Sequence, residues 1–338
     1  MAPSTSWIET RPATSVGEAA NALGRFWGIA GAFEDLPSER DRNFLVRASD
    51  GRPTHVLKIA NLEESPDFLA CQGHAMALLA AAGVPVQQLV SSLDGRDLVP
   101  LGDPGPPYAR LLTWLDGRTM ASLREPSVDV LIDLGHEMGR GATALLGFDH
   151  PAAHRDFPWD VLQAGSVIRL GLEAVNDSPR RRLLAAVLDR LRSDLVPRFA
   201  TLRRSVIHND ANDHNILVSD DSMRVVGLLD FGDMIHSITA HEAAVACAYA
   251  MLGREDPLGV MTAIIRGFVA NCPLTADEID ALPSLAIARL AASVAMSARQ
   301  GRLSDDPYLR VSEEPAWDLL ERLHAIAPSE LRAAAHEA

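Results

Sequence analysis

The chain has 338 residues, and its 31 lysine and arginine residues against 45 aspartate and glutamate residues give a formal charge of −14. Hydrophobic residues make up 47% and charged residues 22%, which is typical of a globular protein and excludes a disordered or collagen-like chain. The length allows two lobes with a sizeable core. Because an acidic surface repels phosphate backbones, nucleic acid is not expected as a partner.

The cysteines favour a reducing compartment, and the apolar segments predict neither a secretory signal nor a membrane span. Cys71, Cys247 and Cys272 are odd in number and widely spaced, so they predict neither a disulfide framework nor a zinc site. The first residues lack the basic segment followed by an apolar segment that marks a secretory signal. No stretch is expected to reach the roughly 18 apolar residues that span a bilayer. We therefore expect a cytoplasmic protein with no membrane partner.

Short β-rich segments dominate the first third of the chain, after a helical preamble predicted over residues 1–25. Aromatic and β-branched residues separated by turn-rich stretches predict a three-stranded antiparallel meander and then two further strands. The predicted strands are 27–36, 43–49, 54–59, 88–93 and 109–115. Between the third and fourth strands, alanine-rich periodicity predicts a helix over 67–82, which ends at a Gly-Val-Pro sequence.

Long apolar-periodic helices dominate from about residue 120 onward, interrupted by residues 206–235. The sequence thus predicts an α+β fold of two lobes. Residues 26–116 would form a small antiparallel sheet with one helix, and residues 117–338 a larger, mainly helical lobe. The break near residue 116 is interpreted as a hinge.

One polar loop and a later carboxylate carry the chemistry. His208, Asp210 and Asn215 lie between apolar, strand-like flanks, and fifteen residues after Asn215 a second apolar run ends in Asp230. Neighbouring strands that end in oxygen ligands suit Mg²⁺. Phosphoryl transfer needs a carboxylate near the acceptor hydroxyl and oxygen ligands for the metal, and Asp210, Asn215 and Asp230 supply them in the spacing of a kinase. The alternative is a polar turn with incidental carboxylates, but the turn is unusually rich in His, Asp and Asn.

The nucleotide phosphates require a cation, and Lys58 is the candidate. It lies in the third strand of the predicted meander, between a hairpin and a helix, where the strand lysine of a kinase belongs. The alternative is a solvated lysine at a sheet edge.

These features together resemble the aminoglycoside phosphotransferase and choline kinase superfamily, whose fold is protein-kinase-like and bilobal. Within this superfamily, the amino-acid sequence of residues 38–44, 208–215 and 229–234 is most similar to the hydroxylysine kinase branch. The matching features are Lys58, His208-x-Asp210-x-x-x-x-Asn215 and Asp230-Phe231-Gly232-Asp233.

The resemblance implies a role for each matched residue. Asp210 would be the catalytic base or would orient the acceptor, His208 would brace its loop, and Asn215 and Asp230 would hold Mg²⁺. ATP or GTP would be bound by Lys58 at the α- and β-phosphates, by the turn 38–43 over the phosphates, and by backbone groups of the hinge 112–115 at the purine. The remaining implied nucleotide-binding residues in these segments are Arg40, Arg42, Asn43, Thr113 and Leu115.

One position departs from the kinase pattern. Kinases pair the strand lysine with a glutamate of the following helix, and Gln72 stands there. An amide can accept a hydrogen bond from the lysine but cannot neutralise its charge. Glu63 or Glu64 are alternative partners.

Further candidates lie in the helical lobe. Asp160 could bind an ammonium group of the acceptor and Arg289 its carboxylate, although surface ion pairs are the alternative interpretation. Asp233 could ligate metal, touch substrate or cap the next helix, which is predicted over 236–252. Glu242 in that helix is expected to brace the catalytic loop.

A protein kinase is the nearest rival, but the chain lacks Gly-x-Gly-x-x-Gly and Ala-Pro-Glu and leaves little room for an activation segment. The expected function is Mg²⁺-dependent transfer of a γ-phosphoryl group from ATP or GTP to a hydroxyl of an amino-alcohol or hydroxy-amino acid. The leading candidate acceptor is 5-hydroxylysine. Aminoglycoside phosphotransferases and choline, ethanolamine or homoserine kinases remain open. An inactive nucleotide-binding protein is the alternative from another class.

Overall fold

The computed structural model describes residues 11–38, 40–102, 105–300 and 313–338. Contacts divide the chain into an N-terminal unit, residues 1–116, and a C-terminal unit, residues 117–338. The N-terminal unit is built on an antiparallel sheet and the C-terminal unit is mainly helical, which confirms the α+β class. Predictions for residues 1–10, for Glu39 in the turn and for residues 103–104 lie outside the described residues.

The N-terminal unit contains the predicted meander. Its elements are α1 (Val16–Trp27), β1 (Ala32–Leu36), β2 (Arg42–Arg47), β3 (Pro53–Ile59), α2 (Pro66–Ala81), β4 (Leu89–Val90), β5 (Val99–Gly102) and β6 (Gly105–Thr113). The sheet order is β1-β2-β3-β6-β4, with β5 also paired to β6. The register sets Asn43 opposite Lys58 and Lys58 opposite Arg110. Cross-strand partners share one face of a sheet, so these three polar side chains stand in a row.

The first predicted strand and the predicted end of the helical preamble were wrong. The strand predicted from Trp27 begins only at Ala32, because helix α1 continues to Trp27 and ends at Gly28 in the left-handed conformation. This helix also crosses the predicted boundary at residue 25. Its Leu23 and Trp27 pack into the core with Phe44 and Leu57 of the sheet, so α1 is part of the N-terminal unit.

The fourth predicted strand shrinks to two residues, Leu89–Val90, and the neighbouring β5 was not predicted. Strand β6 covers Gly105–Thr113 in place of the predicted 109–115.

Helices form most of the C-terminal unit. They are α3 (Val128–Leu145), α4 (Ala164–Leu172), α5 (Ser178–Asp194), α6 (His241–Ala250), α7 (Pro257–Val269), α8 (Ala276–Gln300), α9 (Glu313–Ala325) and α10 (Pro328–His336). Helices α3 and α7 approach through glycines: a Cβ on Gly135 would lie 1.9 Å from the backbone oxygen of Ile264, and one on Gly267 1.9 Å from that of Ile132. Only glycine permits this separation of the two backbones.

Five short strands in the C-terminal unit carry the polar loops. They are β7 (Arg118–Thr119), β8 (Arg204–Ile207), β9 (Ile216–Val218), β10 (Val225–Leu228) and β11 (Ile235–Ile238), paired as β10-β9-β7 and β11-β8. The helix predicted over 236–252 was wrong at its start, because residues 235–238 pair with β8 and α6 begins only at His241.

Helix α8 differs from the expectation that no segment is apolar enough to span a bilayer. Among the described residues it alone is long and apolar enough to cross a membrane. However, 83% of its most apolar window is buried inside the protein, as in the core helix of a globular unit.

Candidate active site

The loop between β8 and β9 presents a carboxylate held by three donors. Asn212 and Asn215 donate their amide hydrogens to Asp210, at 3.0 Å to Oδ1 and 2.7 Å to Oδ2. Asn215 also donates to the backbone oxygen of Asp210 at 3.0 Å. Arg289 of α8 supplies the third donor, 3.2 Å from Oδ1. The loop geometry therefore fixes the orientation of the Asp210 carboxylate.

His208 braces this loop. Its Nε2 lies 2.9 Å from the backbone oxygen of Leu229, and the backbone amide of Asp210 donates to Nδ1 at 3.2 Å. An acceptor at Nδ1 places the proton on Nε2. Burial lowers the pKa of His208, so the ring is neutral. These contacts support the structural role expected for His208, which joins the loop to the end of β10.

The β9–β10 hairpin brings the two predicted metal ligands to one end. Ile216 is paired with Leu228, and the amide of Leu229 donates to the backbone oxygen of Asn215 at 2.8 Å. Asn215 and Asp230 therefore lie at the same end of neighbouring strands. Asn215 points its amide nitrogen at Asp210, which leaves its amide oxygen for a metal. A carboxylate and an amide oxygen are hard donors of the kind that Mg²⁺ accepts, so these residues fit a divalent metal.

Glu242 supports the loop from α6, as expected. Its Oε2 accepts a hydrogen bond from the backbone amide of Asn209 at 3.2 Å. Asn209 has a positive φ of 65° and donates its side-chain amide to the backbone oxygens of Trp159 and Asp233. Burial raises the pKa of Glu242 to about 7. Asn209, the residue before Asp210, is thus held from both sides.

The carboxylates of Asp210, Asp230 and Asp233 make this part of the C-terminal unit negative. Burial raises the pKa of Asp210 above its usual range, and the charges of Asp233 and, less, Asp230 raise it further. The positive charge of Arg289 opposes this rise. A base with a raised pKa accepts a proton more readily near neutral pH.

Two predicted acceptor-binding residues have partners inside the protein. Asp160 accepts hydrogen bonds from Ser237 Oγ at 2.6 Å and from the backbone amide of Leu162 at 3.1 Å, and so caps a short turn of helix. Burial raises its pKa. Arg289 is 3% exposed and is bound to Asp210. Their predicted contacts with an acceptor stay predictions.

Lys58 is buried in the N-terminal unit, where it is 8% exposed and its Nζ lies 3.7 Å from Asp41 Oδ2. Gln72 of α2 accepts a hydrogen bond from Arg110 Nη1 at 2.8 Å. Asp41 and Arg110 were not predicted as site residues. Arg110 could have been noticed in the sequence as a charged residue beside the apolar run of β6. In the sheet it lies opposite Lys58.

The other predicted nucleotide-binding residues occupy defined positions. Arg42 forms an ion pair with Asp35 at 2.9 Å, and Asn43 is buried beside Lys58 in the sheet. Arg40 and Leu115 are partly exposed. Both backbone groups of Thr113 are hydrogen-bonded, the amide to Gln88 and the carbonyl to the Gln87 side chain.

An oriented carboxylate beside two oxygen donors for a divalent metal is the catalytic arrangement of kinase-type phosphotransferases. The sequence comparison agrees with this class: residues 33–278 match the phosphotransferase enzyme family, and the chain belongs to that family. It is a phosphotransferase whose acceptor is a hydroxyl group of a small molecule. The family implies a nucleotide as phosphoryl donor and a divalent metal.

Similar proteins confirm the resemblance. Hydroxylysine kinase of Mus musculus is 30% identical over 345 residues, which covers 94% of this chain and 91% of the relative. Hydroxylysine kinase of Xenopus laevis is 29% identical and covers 93% and 91%.

Solved structures share the fold at lower identity. A microcompartment-associated aminopropanol kinase superposes with a TM-score of 0.72 at 19% identity, covering 95% of this chain and 99% of the other. Amicoumacin kinase, in complex with AMP-PNP and Ca²⁺, gives 0.70 at 14% identity, covering 94% and 97%. The predicted kinase-like fold is thereby confirmed.

Proposed function

We propose that the protein transfers the γ-phosphoryl group of ATP or GTP, with Mg²⁺, to the side-chain hydroxyl of 5-hydroxylysine. The observation that carries the proposal is the Asp210 carboxylate, fixed by Asn212, Asn215 and Arg289, beside the hairpin end that holds Asn215 and Asp230. The hydroxylysine kinases cover more than nine tenths of this chain, which supports the choice of acceptor.

In this mechanism Asp210 accepts the proton of the acceptor hydroxyl as the oxygen attacks the γ-phosphorus. The bond from that phosphorus to the β–γ bridging oxygen breaks, and the nucleoside diphosphate leaves. Its Oδ1 already receives two donors, from Asn212 and Arg289, whereas Oδ2 receives one, from Asn215. Each carboxylate oxygen has about two lone-pair sites, so Oδ2 is the oxygen that can take the proton. Asn215 and Asp230 would hold Mg²⁺, which supplies charge neutralisation for the phosphates.

The nucleotide would be bound by the N-terminal unit. Lys58 is buried and has an acidic neighbour at 3.7 Å, which would hold its ammonium group in place for the α- and β-phosphates. Arg40, Arg42 and Asn43 would lie over the phosphates. Gln72 would orient the two neighbouring cations of the sheet, Lys58 and Arg110. Because both backbone groups of Thr113 are committed, contact with the purine edge would fall mainly to Leu115.

The acceptor's ammonium groups suit the negative part of the C-terminal unit. Asp233 is buried, and its charge acts on Asp210. A cationic acceptor would partly neutralise these carboxylates. Asp233 is therefore the favoured ligand for an ammonium group, with Asp160 as a second choice because its Oδ1 already accepts from Leu162 and Ser237.

The test is a panel of hydroxylated amines incubated with ATP or GTP and examined by mass spectrometry for the gain of one phosphoryl group. The panel contains 5-hydroxylysine, choline, ethanolamine, homoserine and an aminoglycoside. We expect modification of 5-hydroxylysine, and its loss in Asp210→Asn. Asp221→Asn is the matched control, because Asp221 is exposed at the opposite end of the β9–β10 hairpin. Preferential modification of another panel member would replace the acceptor assignment.

We also propose a cytoplasmic location. The three cysteines are free and buried, which suits a reducing compartment. Fractionation of cells that produce the protein tests this, and recovery outside the cytoplasm would contradict it.

A further inference from the structure

Arg289 is a buried cation that reaches the catalytic loop from a distant helix. It lies in α8, 79 residues from Asp210 along the chain, and is 3% exposed. Its Nη2 donates to Asp210 Oδ1 at 3.2 Å. Burial of an arginine is costly unless its charge is paired, and here the charge is paired with Asp210.

Two aromatic rings hold the guanidinium. Its central carbon lies 4.3 Å from the ring centre of Trp159 and 5.4 Å from that of Tyr249. The hydroxyl of Tyr249 also accepts a hydrogen bond from Arg289 Nε at 3.3 Å. Cation–π contacts and the hydroxyl together restrict the guanidinium to one position, so the donor that faces Asp210 is preorganised.

The catalytic loop itself supplies no permanent positive charge. Residues 208–215 contain two histidines but no lysine or arginine, and the position two residues after Asp210 is Asn212. Among the residues that the structure describes, the cation paired with Asp210 is Arg289. It approaches Oδ1, the oxygen that Asn212 also binds, and leaves Oδ2 to Asn215.

We propose that Arg289 is a positioning residue for the phosphoryl-transfer reaction, which fixes the Asp210 carboxylate so that Oδ2 faces the acceptor hydroxyl. The proposal rests on the proposed function, since it assigns Arg289 an action through Asp210. It differs from the expectation that Arg289 binds a carboxylate of the acceptor. Nη1 is buried and has no hydrogen-bond partner among the described residues, so it is the atom that a carboxylate of the acceptor would bind. That role predicts a change in KM for acceptors with a carboxylate, whereas the positioning role predicts a change in kcat.

The experiment compares two acceptors, 5-hydroxylysine and the amino-alcohol that lacks its carboxylate. For Arg289→Gln we expect kcat to fall by about 10- to 100-fold with both acceptors, while each KM changes less than about twofold, because displacing a catalytic group mainly slows the chemical step. Arg289→Lys keeps the charge without the planar fork and should recover part of kcat.

A matched control involves an ion pair of the same helix. Arg203 forms an ion pair with Glu278 of α8 at 3.2 Å, away from the catalytic loop. Arg203→Gln removes a comparable arginine–carboxylate contact, so it should lower the unfolding temperature and leave kcat within about twofold. A loss of kcat as large as that of Arg289→Gln would show that any weakening of α8 has this effect, and would overturn the proposal.

The remaining outcomes are also decisive. An increase in KM confined to the acceptor with a carboxylate would make Arg289 a substrate ligand and overturn the positioning role. If Arg289→Gln does not fold, Tyr249→Phe removes only the hydroxyl that holds Nε, and an unchanged kcat in that variant would count against the proposal. If the wild-type protein phosphorylates neither acceptor, the acceptor assignment fails separately. Arg289 is then tested on nucleotide hydrolysis by water, whose rate must fall in Arg289→Gln as it does in Asp210→Asn.

Discussion

Glu242 should make the stability of the protein fall between pH 5 and pH 8. The carboxyl is 2% exposed, in the first turn of α6, and burial raises its pKa from 4.5 to about 7. The backbone amides of His208 and Asn209 and the charge of Arg289 oppose the rise without cancelling it. The folded protein therefore retains a proton that the unfolded chain releases above pH 4.5, and the associated stability is lost as the pH rises through about 7.

The magnitude follows from the two pKa values. At about 1.4 kcal/mol per pH unit, the interval from 4.5 to about 7 corresponds to a loss of about 3 kcal/mol, most of which falls between pH 5 and pH 8. Glu242→Gln cannot ionise but keeps an oxygen that can accept from the amide of Asn209. The difference in free energy of unfolding, variant minus wild type, should therefore grow by about that amount as the pH is raised.

Urea denaturation followed by circular dichroism at fixed pH values from 5 to 8 measures this difference. The comparison cancels the titration of groups that the two proteins share. A difference that stays constant across the range would refute the assignment, because it would mean that Glu242 ionises equally in the folded and unfolded states.

Three further predictions concern packing, a tautomer and a strained residue. Gly267→Ala places a Cβ 1.9 Å from a backbone oxygen of α3 and should cost at least about 2 kcal/mol in urea denaturation, whereas Gly165→Ala, which meets only a side-chain carbon at 3.9 Å, should be neutral or stabilising. His208 should show the Nε2–H tautomer in nitrogen NMR and a protonation midpoint below the ordinary 6.5; a midpoint near 6.5 would contradict its lowered pKa. At Asn209, with φ at 65°, Gly should be the less damaging substitution by about 1 kcal/mol relative to Ala in thermal denaturation, the reverse of the usual helix order.

Local patterns predicted the elements whose signals are local. Strands β2 and β3 and helix α2 follow from period-two and period-3.6 patterns bounded by turns, and they appear within two residues of the predicted bounds. Helix α1 was misjudged at its end because its aromatic residues favour a strand. The capping box of Ser15 and Glu18, with Gly28 at a positive φ, determines the helix instead.

Pairings over longer distances were not visible in the sequence. Strand β11 looks like the start of a helix until β8, 28 or more residues earlier, is recognised as its partner. The same limit applies to the site. The spacing of Asp210 and Asn215 and the position of Asp230 are a local signal, and a single hairpin is enough to bring the two predicted metal ligands to one end. The ion pair of Arg289 with Asp210 joins elements 79 residues apart, and no local pattern reports such a contact.

The backbone at the site explains why so many of its neighbours are buried polar groups. Asn209 and Asp230 both have positive φ, 65° and 57°, a conformation that costs a residue with a side chain about 1 kcal/mol or more. Glycine would remove that cost, but it could neither donate to the backbone oxygens beside the loop nor supply a carboxylate to a metal. Asn and Asp tolerate the conformation better than other side chains because their short polar groups bond locally, as Asp230 Oδ1 does with the amide of Gly232. The buried Glu242 holds the amide of Asn209, so the helical core of the C-terminal unit maintains a strained loop that carries the proposed catalytic side chains.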